Sequence, residues 1–281
     1  MPELMREGAQ FVQFASPAFL VVSLIAPVGF RFRKQRWALL GFFLLVAESV
    51  TQIAGWSLPA DVAGLAIVAG SIAFVERGWR ESVRFRAAWI ARFQARKPVT
   101  LAPPFEGRWR ALGTGPSIDR NHHLTARDQW FAVDWVRQDA PSRGSCVFAP
   151  ADGLIAYVED GHPDKPARRR VHVDKEHPAG NYVSLRIKGE DCCVIVAHLE
   201  QGSIAVRAGQ QVRTGTLLGL CGNSGNTSIP HVHIHVQPGE RFAAGSDWGI
   251  PVVFGSKEEW LRPGATVIGG FSTEMTSFPQ A

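Results

Sequence analysis

The sequence predicts a mainly β protein, in which an antiparallel β-sheet domain follows an N-terminal helical region that crosses a membrane. Two observations carry this prediction. Long uncharged runs are confined to the part of the chain before residue 76, and short alternating or β-branched runs recur from Phe105 onward at a spacing of about ten residues. No long amphipathic helical pattern interrupts those short runs. With 281 residues, the chain has room for both parts.

The N-terminal region, residues 1–97, contains three hydrophobic segments. Phe11 to Phe30 is uncharged over 20 residues, and at about 1.5 Å per residue it could cross a hydrocarbon core of about 30 Å. Ala38 to Ala60 is interrupted only by Glu48, and Val62 to Val75 is shorter and rich in small residues. We expect at least two of them to span a membrane. The alternative is a buried helical hairpin of a soluble protein.

Basic residues flank these segments and account for the net charge of +5. Residues 1–97 hold 12 Lys and Arg against 6 Asp and Glu, whereas the rest of the chain holds 18 against 19. The C-terminal part therefore lacks the charge of a nucleic-acid-binding surface. By the positive-inside rule the basic run 31–36 is cytoplasmic, so three crossings place the C-terminal part inside and two place it outside. The stretch 76–97 mixes Trp, Phe and Arg at helical spacing, which is typical of a membrane-surface helix or a solvated one.

The C-terminal region divides into three parts. Residues 98–117 are rich in Pro and Gly and predict a linker leading into a domain. Residues 118–262 form the predicted antiparallel β domain, and residues 263–281 form a loosely ordered tail. The predicted strands are 130–136, 153–160, 169–174, 181–187, 192–199, 215–222 and 231–237.

The run "PHVHIHVQPG" at 230–239 places His231, His233 and His235 at alternate positions. In a strand, alternate side chains share a face, so three imidazoles lie on one face at spacings of about 6.5 to 7 Å. Two of them could reach one metal ion or one substrate. The alternative is a solvated strand face above an apolar core.

Further metal-ligand side chains come from other parts of the domain. A catalytic zinc needs about three His or carboxylate ligands and an open position. The available residues are His122, His123, Asp134 and His198, besides the three histidines of 231–235. Asp134 is informative because it lies within the apolar run "WFAVDWV", where a charge needs compensation. A zinc ion would compensate it, and so would an arginine such as Arg127.

The four cysteines are not arranged as a metal or redox site. They show no CxxC spacing, which argues against a zinc ribbon or a thioredoxin-type centre. Cys192 and Cys193 lie within the apolar run "CCVIVAHL" and are predicted to be small core residues.

Together these motifs resemble the lysostaphin-type zinc endopeptidases, which cut peptide cross-links of bacterial peptidoglycan. The resemblance covers about Asn121 to Val236 and includes "AVDW", "GNYVSLRI", "VAHLEQG" and "VRTGTLLGLCGNSGNTSIPHVHIHV". It implies a membrane-anchored, zinc-dependent peptidase with peptidoglycan peptide as its substrate. Such a substrate favours an extracytoplasmic catalytic domain at the cytoplasmic membrane of a bacterium.

The resemblance also implies roles for individual residues. Asp134 and His233 correspond to zinc ligands, and His198 and His231 to catalytic residues. Position 130, where the family usually has its first histidine ligand, is Trp. The "NHH" element at 121–123 is similar to a branch that uses an upstream histidine, which favours His123 over His122. His235 corresponds to a non-ligand position and is expected to be a bystander, either behind a ligand or facing solvent.

Two other functions compete with this one. A catalytically inactive module that binds cell wall or regulates cell-wall hydrolases would have lost at least one of these residues, and the chain has a residue for every role. A cupin-like metal enzyme would have a glutamate a few residues after HxH, but Glu240 lies beyond the strand, after "QPG".

Overall fold

The computed structural model describes residues 60–117, 120–167, 174–242, 247–255 and 260–270. The chain divides into two compact units, residues 1–83 and 84–281. One long helix, α1, runs from Ala60 to Ala95. Among the described residues, no helix has an apolar stretch long enough to cross a membrane. The hydrophobic segments Phe11–Phe30 and, except for its last residue, Ala38–Ala60 lie outside the described residues, and Val62–Val75 belongs to α1.

The last part of α1 packs within the second unit. Trp89 and Phe93 are buried, and their rings lie 5.3 and 5.4 Å from that of Trp260. The indole nitrogen of Trp89 donates a hydrogen bond of 2.8 Å to the carbonyl of Trp130. The apolar face of this segment therefore contacts protein. Arg and Glu side chains on the remaining surface are exposed, as the solvated alternative expected.

The second unit is built on β-strands, which confirms the predicted mainly β class. The strands are β1 Val99–Leu101, β2 Gly107–Leu112, β3 Val133–Arg137, β4 Cys146–Phe148, β5 Gly153–Glu159, β6 Asn181–Ile187, β7 Cys193–Leu199, β8 Gln211–Val212, β9 Leu217–Leu220, β10 Val232–Gln237, β11 Val252–Phe254 and β12 Thr266–Gly269. Two short 3₁₀ turns cover His122–Thr125 and Arg127–Gln129. Strands β1 and β2 both lie within the stretch 98–117 that was predicted as a linker, and β12 lies within the predicted tail.

The main sheet has eight strands in the order β12-β2-β3-β10-β7-β6-β5-β8, and all of its pairs are antiparallel. Two smaller sheets pair β1 with β11 in parallel and β4 with β9 in antiparallel orientation. The antiparallel prediction therefore holds for the main sheet. The predicted strand 169–174 lies outside the described residues except for Asp174.

The register of the central strands positions the polar residues on one face. Strand β10 lies between β3 and β7, and His233 is directly opposite both Asp134 and Ala197. Val133 and Trp135 flank Asp134 and project to the other face, because strand side chains alternate. Trp135 is fully buried there and contacts Phe105 at a ring distance of 4.9 Å. Apolar packing on one face thus holds a polar cluster on the other.

Candidate metal centre and active site

The 3₁₀ turn that carries His123 is fixed by Asn121. The Asn121 side chain accepts a hydrogen bond from the His123 backbone N–H at 3.1 Å and donates one to the Gly115 carbonyl at 2.7 Å. His123 is buried, and its Nδ1 lies 2.6 Å from the carbonyl oxygen of Gly113. A neutral ring that donates from Nδ1 carries its lone pair on Nε2. That Nε2 lies 3.3 Å from Oδ1 of Asp134.

Gly113 provides space for these side chains, a role that the sequence analysis missed. Its φ is +55°, and a Cβ placed there would lie 2.9 Å from Cε1 of His123 and 3.2 Å from Oδ2 of Asp134. A larger residue would therefore have to displace the ring or the carboxylate. The left-handed backbone also favours glycine at this position.

Asp134 lies at the centre of the cluster and is 5% exposed. Its Oδ1 is 2.9 Å from Nδ1 of His233 and 3.5 Å from Nε2 of His231. Burial by itself would raise the pKa of this carboxyl, but His123 and His231 outweigh burial and hold the pKa well below its usual range. Asp134 is thus an ionised carboxylate surrounded by imidazoles.

Arg127, the alternative partner that the sequence left open for Asp134, does not fill that role. Its guanidinium carbon lies 5.7 Å from the ring centre of Trp248. Within the described part of the chain, the ion-pair partners of Asp134 are histidines: His122, His123, His231 and His233.

His122 also approaches the carboxylate, but from the surface. Its side chain is 71% exposed, and its Nε2 lies 3.4 Å from Oδ2 of Asp134. The ligand atoms of His122, His123 and Asp134 lie within 4.8 Å of one another. Two possible ligand sets therefore share His123 and Asp134, and they are completed either by His233 or by His122.

A linear chain of hydrogen bonds continues from His233 along strand β10. Nε2 of His233 lies 2.9 Å from Nδ1 of His235, and Nε2 of His235 lies 2.9 Å from Oε1 of Gln237. The Gln237 amide nitrogen donates to the carbonyls of Gly239 and Arg241, at 2.8 and 2.6 Å. All three side chains are buried. His235 is therefore buried behind His233, which is one of the two positions expected for it.

The direction of this chain sets the proton positions. Because the Gln237 nitrogen faces two carbonyl oxygens, its oxygen must be the acceptor for His235, which then donates from Nε2. Burial lowers the pKa of His235 to about 4, so the ring is neutral and its Nδ1 accepts the proton of His233 Nε2. In neutral His233 the lone pair is consequently on Nδ1, 2.9 Å from a carboxylate oxygen of Asp134. Either a proton or a metal ion between these two atoms would satisfy both lone pairs, so the two groups can serve as ligands of one metal ion.

His198 and His231 lie side by side next to this cluster, with ring centres 4.7 Å apart. The Nδ1 of each ring lies 2.8 Å from a backbone carbonyl, that of Ser224 for His198 and that of Ile229 for His231. Each neutral ring can therefore donate from Nδ1 and keep an unprotonated Nε2. Nε2 is thus available to accept a proton from water or a substrate.

The two rings differ in their electrostatics. Burial lowers the pKa of His198 to about 3. Burial also opposes protonation of His231, but Asp134 and the Ile229 carbonyl outweigh it and raise the pKa of His231. His231 is thus the better proton acceptor of the pair. His198 is also held at φ +62°, a conformation that costs a non-glycine residue on the order of 1 to 3 kcal/mol and is typical of functional sites.

The loop 223–227 contacts both histidines. Ser224 supplies the carbonyl that binds His198, and the Thr227 hydroxyl lies 3.2 Å from Nδ1 of His231. Gly180 and Gly225 allow this loop to approach the segment before β6, since a Cβ on Gly225 would lie 2.4 Å from the Gly180 nitrogen. The loop therefore holds one imidazole through a backbone carbonyl and the other through a side-chain hydroxyl.

The comparisons with known proteins cover part of the chain. Residues 136–243 match the model of peptidase family M23. This segment contains His198, His231 and His233, whereas His123 and Asp134 lie just before it. The predicted resemblance to lysostaphin-type peptidases is confirmed.

A curated relative extends the similarity over more of the chain. An uncharacterized metalloprotease of Haemophilus influenzae is 35% identical over 148 residues, which are 51% of this chain and 24% of that protein. The chain thus matches only about a quarter of this relative's length.

M23 peptidases are zinc metallopeptidases, and the structure brings a His and Asp ligand cluster together, so the predicted zinc cofactor is confirmed.

Several solved structures match part of the chain. A zinc-containing peptidase from Vibrio cholerae is 25% identical, with 43% of this chain and 30% of that chain covered and a TM-score of 0.29. A putative M23 peptidase from Pseudomonas aeruginosa is 21% identical, with coverages of 61% and 60% and a TM-score of 0.34. Lysostaphin from Staphylococcus simulans is 22% identical, with coverages of 37% and 35% and a TM-score of 0.27.

Proposed function

We propose that this protein is a zinc-dependent metalloendopeptidase that hydrolyses peptide bonds in peptidoglycan cross-links. The observation that carries the proposal is the approach of His233 Nδ1 to Asp134 Oδ1 at 2.9 Å, with the ring proton committed to His235 on the opposite side. A bound cation satisfies both lone pairs. The M23 match of residues 136–243 supports peptide hydrolysis and, at the level of the family, a peptidoglycan substrate.

The proposed zinc ligands are His123, Asp134 and His233. Tetrahedral zinc with bonds of about 2.0 to 2.1 Å holds neighbouring ligand atoms about 3.3 Å apart. The His123–Asp134 and His233–Asp134 separations are 3.3 and 2.9 Å, close to that spacing. Zinc bound there would lower the pKa of a water molecule and polarise the scissile carbonyl.

His231 and His198 perform the remaining steps in this proposal. His231 accepts the proton of the attacking water at Nε2, since its Nδ1 is committed to the Ile229 carbonyl. It then returns that proton to the leaving amine, which is general acid and base catalysis by one side chain. His198 stays neutral and orients the water or the developing oxyanion through hydrogen bonding.

Hydrolysis of purified peptidoglycan tests this function. The purified chain should release new amino groups, a chelator should stop the release, and added zinc should restore it. A catalytically inactive cell-wall module would bind the same material without releasing amino groups. The His231→Ala variant is the matched control, because it removes the proposed proton acceptor and leaves the three zinc ligands in place.

Membrane attachment and an extracytoplasmic catalytic domain complete the proposal. The uncharged run Phe11–Phe30 and the basic residues that follow it support attachment, and a peptidoglycan substrate supports the outer face of a bacterial cytoplasmic membrane. Reporter fusions after Ala281 test the orientation. Alkaline phosphatase activity supports the proposal, and a reporter active only in the cytoplasm contradicts it.

A further inference from the structure

A second His and carboxylate cluster lies outside the residues of the proposed active site. Oε1 of Glu159 lies 2.8 Å from Nε2 of His162 and 2.9 Å from Nδ1 of His177. The three ligand atoms lie within 4.8 Å of one another, and the two imidazole rings are 4.0 Å apart. We propose that Glu159, His162 and His177 bind a second divalent transition-metal ion, with zinc as the ion tested.

The donor set and its spacing fit such an ion. Two imidazole nitrogens and one carboxylate oxygen are ligands that zinc accepts, and a tetrahedral ion separates them by about 3.3 Å. The two measured nitrogen–oxygen distances are each about half an ångström shorter. The nitrogens now donate protons to the oxygen, and a metal ion would replace those two protons.

The backbone holds both histidines in place. The backbone N–H of His162 donates to the Asn181 side chain, and that side chain donates back to the His162 carbonyl, both at 2.8 Å. Asn181 is fully buried at the start of β6. The backbone N–H of His177 donates to Asp174 at 2.8 Å, and its carbonyl accepts from Gly180 at 3.0 Å. The ligands are therefore preorganised, which lowers the entropic cost of binding.

The partners of the Glu159 carboxylate are the two histidines and a tyrosine hydroxyl. Among the residues that the structure describes, Glu159 forms ion pairs with the two histidines and with no Lys or Arg. Its other oxygen lies 3.5 Å from the Tyr157 hydroxyl. The His177 side chain is 43% exposed, so an ion can enter from solvent and keep water as a further ligand.

The second ion would stabilise the loops beside His198 in the proposed active site. The segment after His177 is hydrogen-bonded to two loops of the proposed active site. The Ala179 carbonyl accepts a hydrogen bond from the His198 backbone, and the Pro178 carbonyl accepts one from the Asn226 backbone. Metal binding would tie the loop of His162 to this segment. The role we assign to the second ion is therefore structural support of the loops beside His198.

Zinc counting on the purified full chain tests this site. We expect two equivalents for the unmodified chain and one fewer for each of Glu159→Gln, His162→Gln and His177→Gln. Glu176→Gln is the matched control, because it removes an exposed carboxylate next to His177 and should keep both equivalents. Cluster variants that hold as much zinc as Glu176→Gln would overturn the proposal.

The His233→Ala variant separates this proposal from that of the peptidase centre. It should keep the zinc of the second site, and zinc should raise its Tm. The double variant His233→Ala with His162→Gln should hold no zinc and show no rise in Tm. A zinc-dependent rise in the double variant equal to that of His233→Ala would contradict the second site. If the peptidase centre does not bind zinc, His233→Ala should instead hold as much zinc as the unmodified chain.

Discussion

His235 lies directly behind His233, with its Nδ1 2.9 Å from Nε2 of that ring. Gln237 orients His235, so the chain of three side chains presents the lone pair of His233 Nδ1 to Asp134. This arrangement makes His235 and Gln237 positioning residues for a proposed zinc ligand. It also makes the three histidines of 231–235 unequal in function.

Replacing His235 should weaken zinc binding without removing a ligand. We expect His235→Ala to lower the zinc affinity of the peptidase centre by about 10- to 100-fold, the usual effect of losing a partner behind a ligand. Competition with a chromophoric chelator measures this change. His235→Gln, which keeps an acceptor oxygen, should recover part of the affinity. Equal affinities for His235→Ala and the unmodified chain would contradict the positioning role.

The first zinc ligand can be identified by comparing neighbouring histidines. His123 is buried and fixed by Gly113, whereas the His122 side chain is 71% exposed. We therefore expect His123→Ala to lose the zinc of the peptidase centre and His122→Ala to keep it. Metal analysis after gel filtration measures both variants. Zinc loss in His122→Ala alone would replace His123 with His122 in the ligand set.

Gly113 offers a test of space beside the metal centre. Gly113→Ala should destabilise the fold by about 1 kcal/mol or more because of its positive φ, and should also weaken zinc binding because the new Cβ meets His123 at 2.9 Å. Gly144→Ala is the matched control, since Gly144 has φ +77° and open space around its Cβ position. Chemical denaturation and zinc titration should show similar destabilisation but an affinity loss only for Gly113→Ala.

The buried cysteines should be unreactive in the native protein. Burial raises the pKa of Cys192 to about 11 and also raises that of Cys221. Because the thiolate is the reactive form, a raised pKa suppresses alkylation at pH 8. We expect iodoacetamide to label these two residues only after unfolding, as detected by mass spectrometry. Zinc removal should leave their protection unchanged, since neither is a proposed ligand.

The strands that build the site were predictable because their sequences alternate. The predicted strand 181–187 agrees with β6 at both ends, and 231–237 agrees with β10 to within one residue. The alternation also places Gln237 on the same face as His233 and His235, which indicates that it could contact His235. The sequence showed which side chains share a face. Their hydrogen-bond partners could not be predicted, because several of them are buried backbone carbonyls from other segments.

Other features depended on contacts between distant segments. The packing of Trp89 beside Trp260 joins residues from opposite ends of the second unit, and local periodicity cannot specify such a partner. The role of Gly113 depends on its position opposite the 3₁₀ turn of His123, which only the folded chain defines. The aromatic residues of 76–97 correctly predicted that this helix has an apolar face. Which part of the protein packs against that face could not be predicted from residues 76–97 alone.

The most direct test of the peptidase centre compares His233→Ala with His231→Ala for zinc content and peptidoglycan hydrolysis. Both variants should carry His162→Gln, so that only the zinc of this centre is counted. The account predicts that His233→Ala loses both zinc and hydrolysis, whereas His231→Ala keeps its zinc and loses hydrolysis. Equal zinc loss in both variants, or hydrolysis by His233→Ala without zinc, would contradict it.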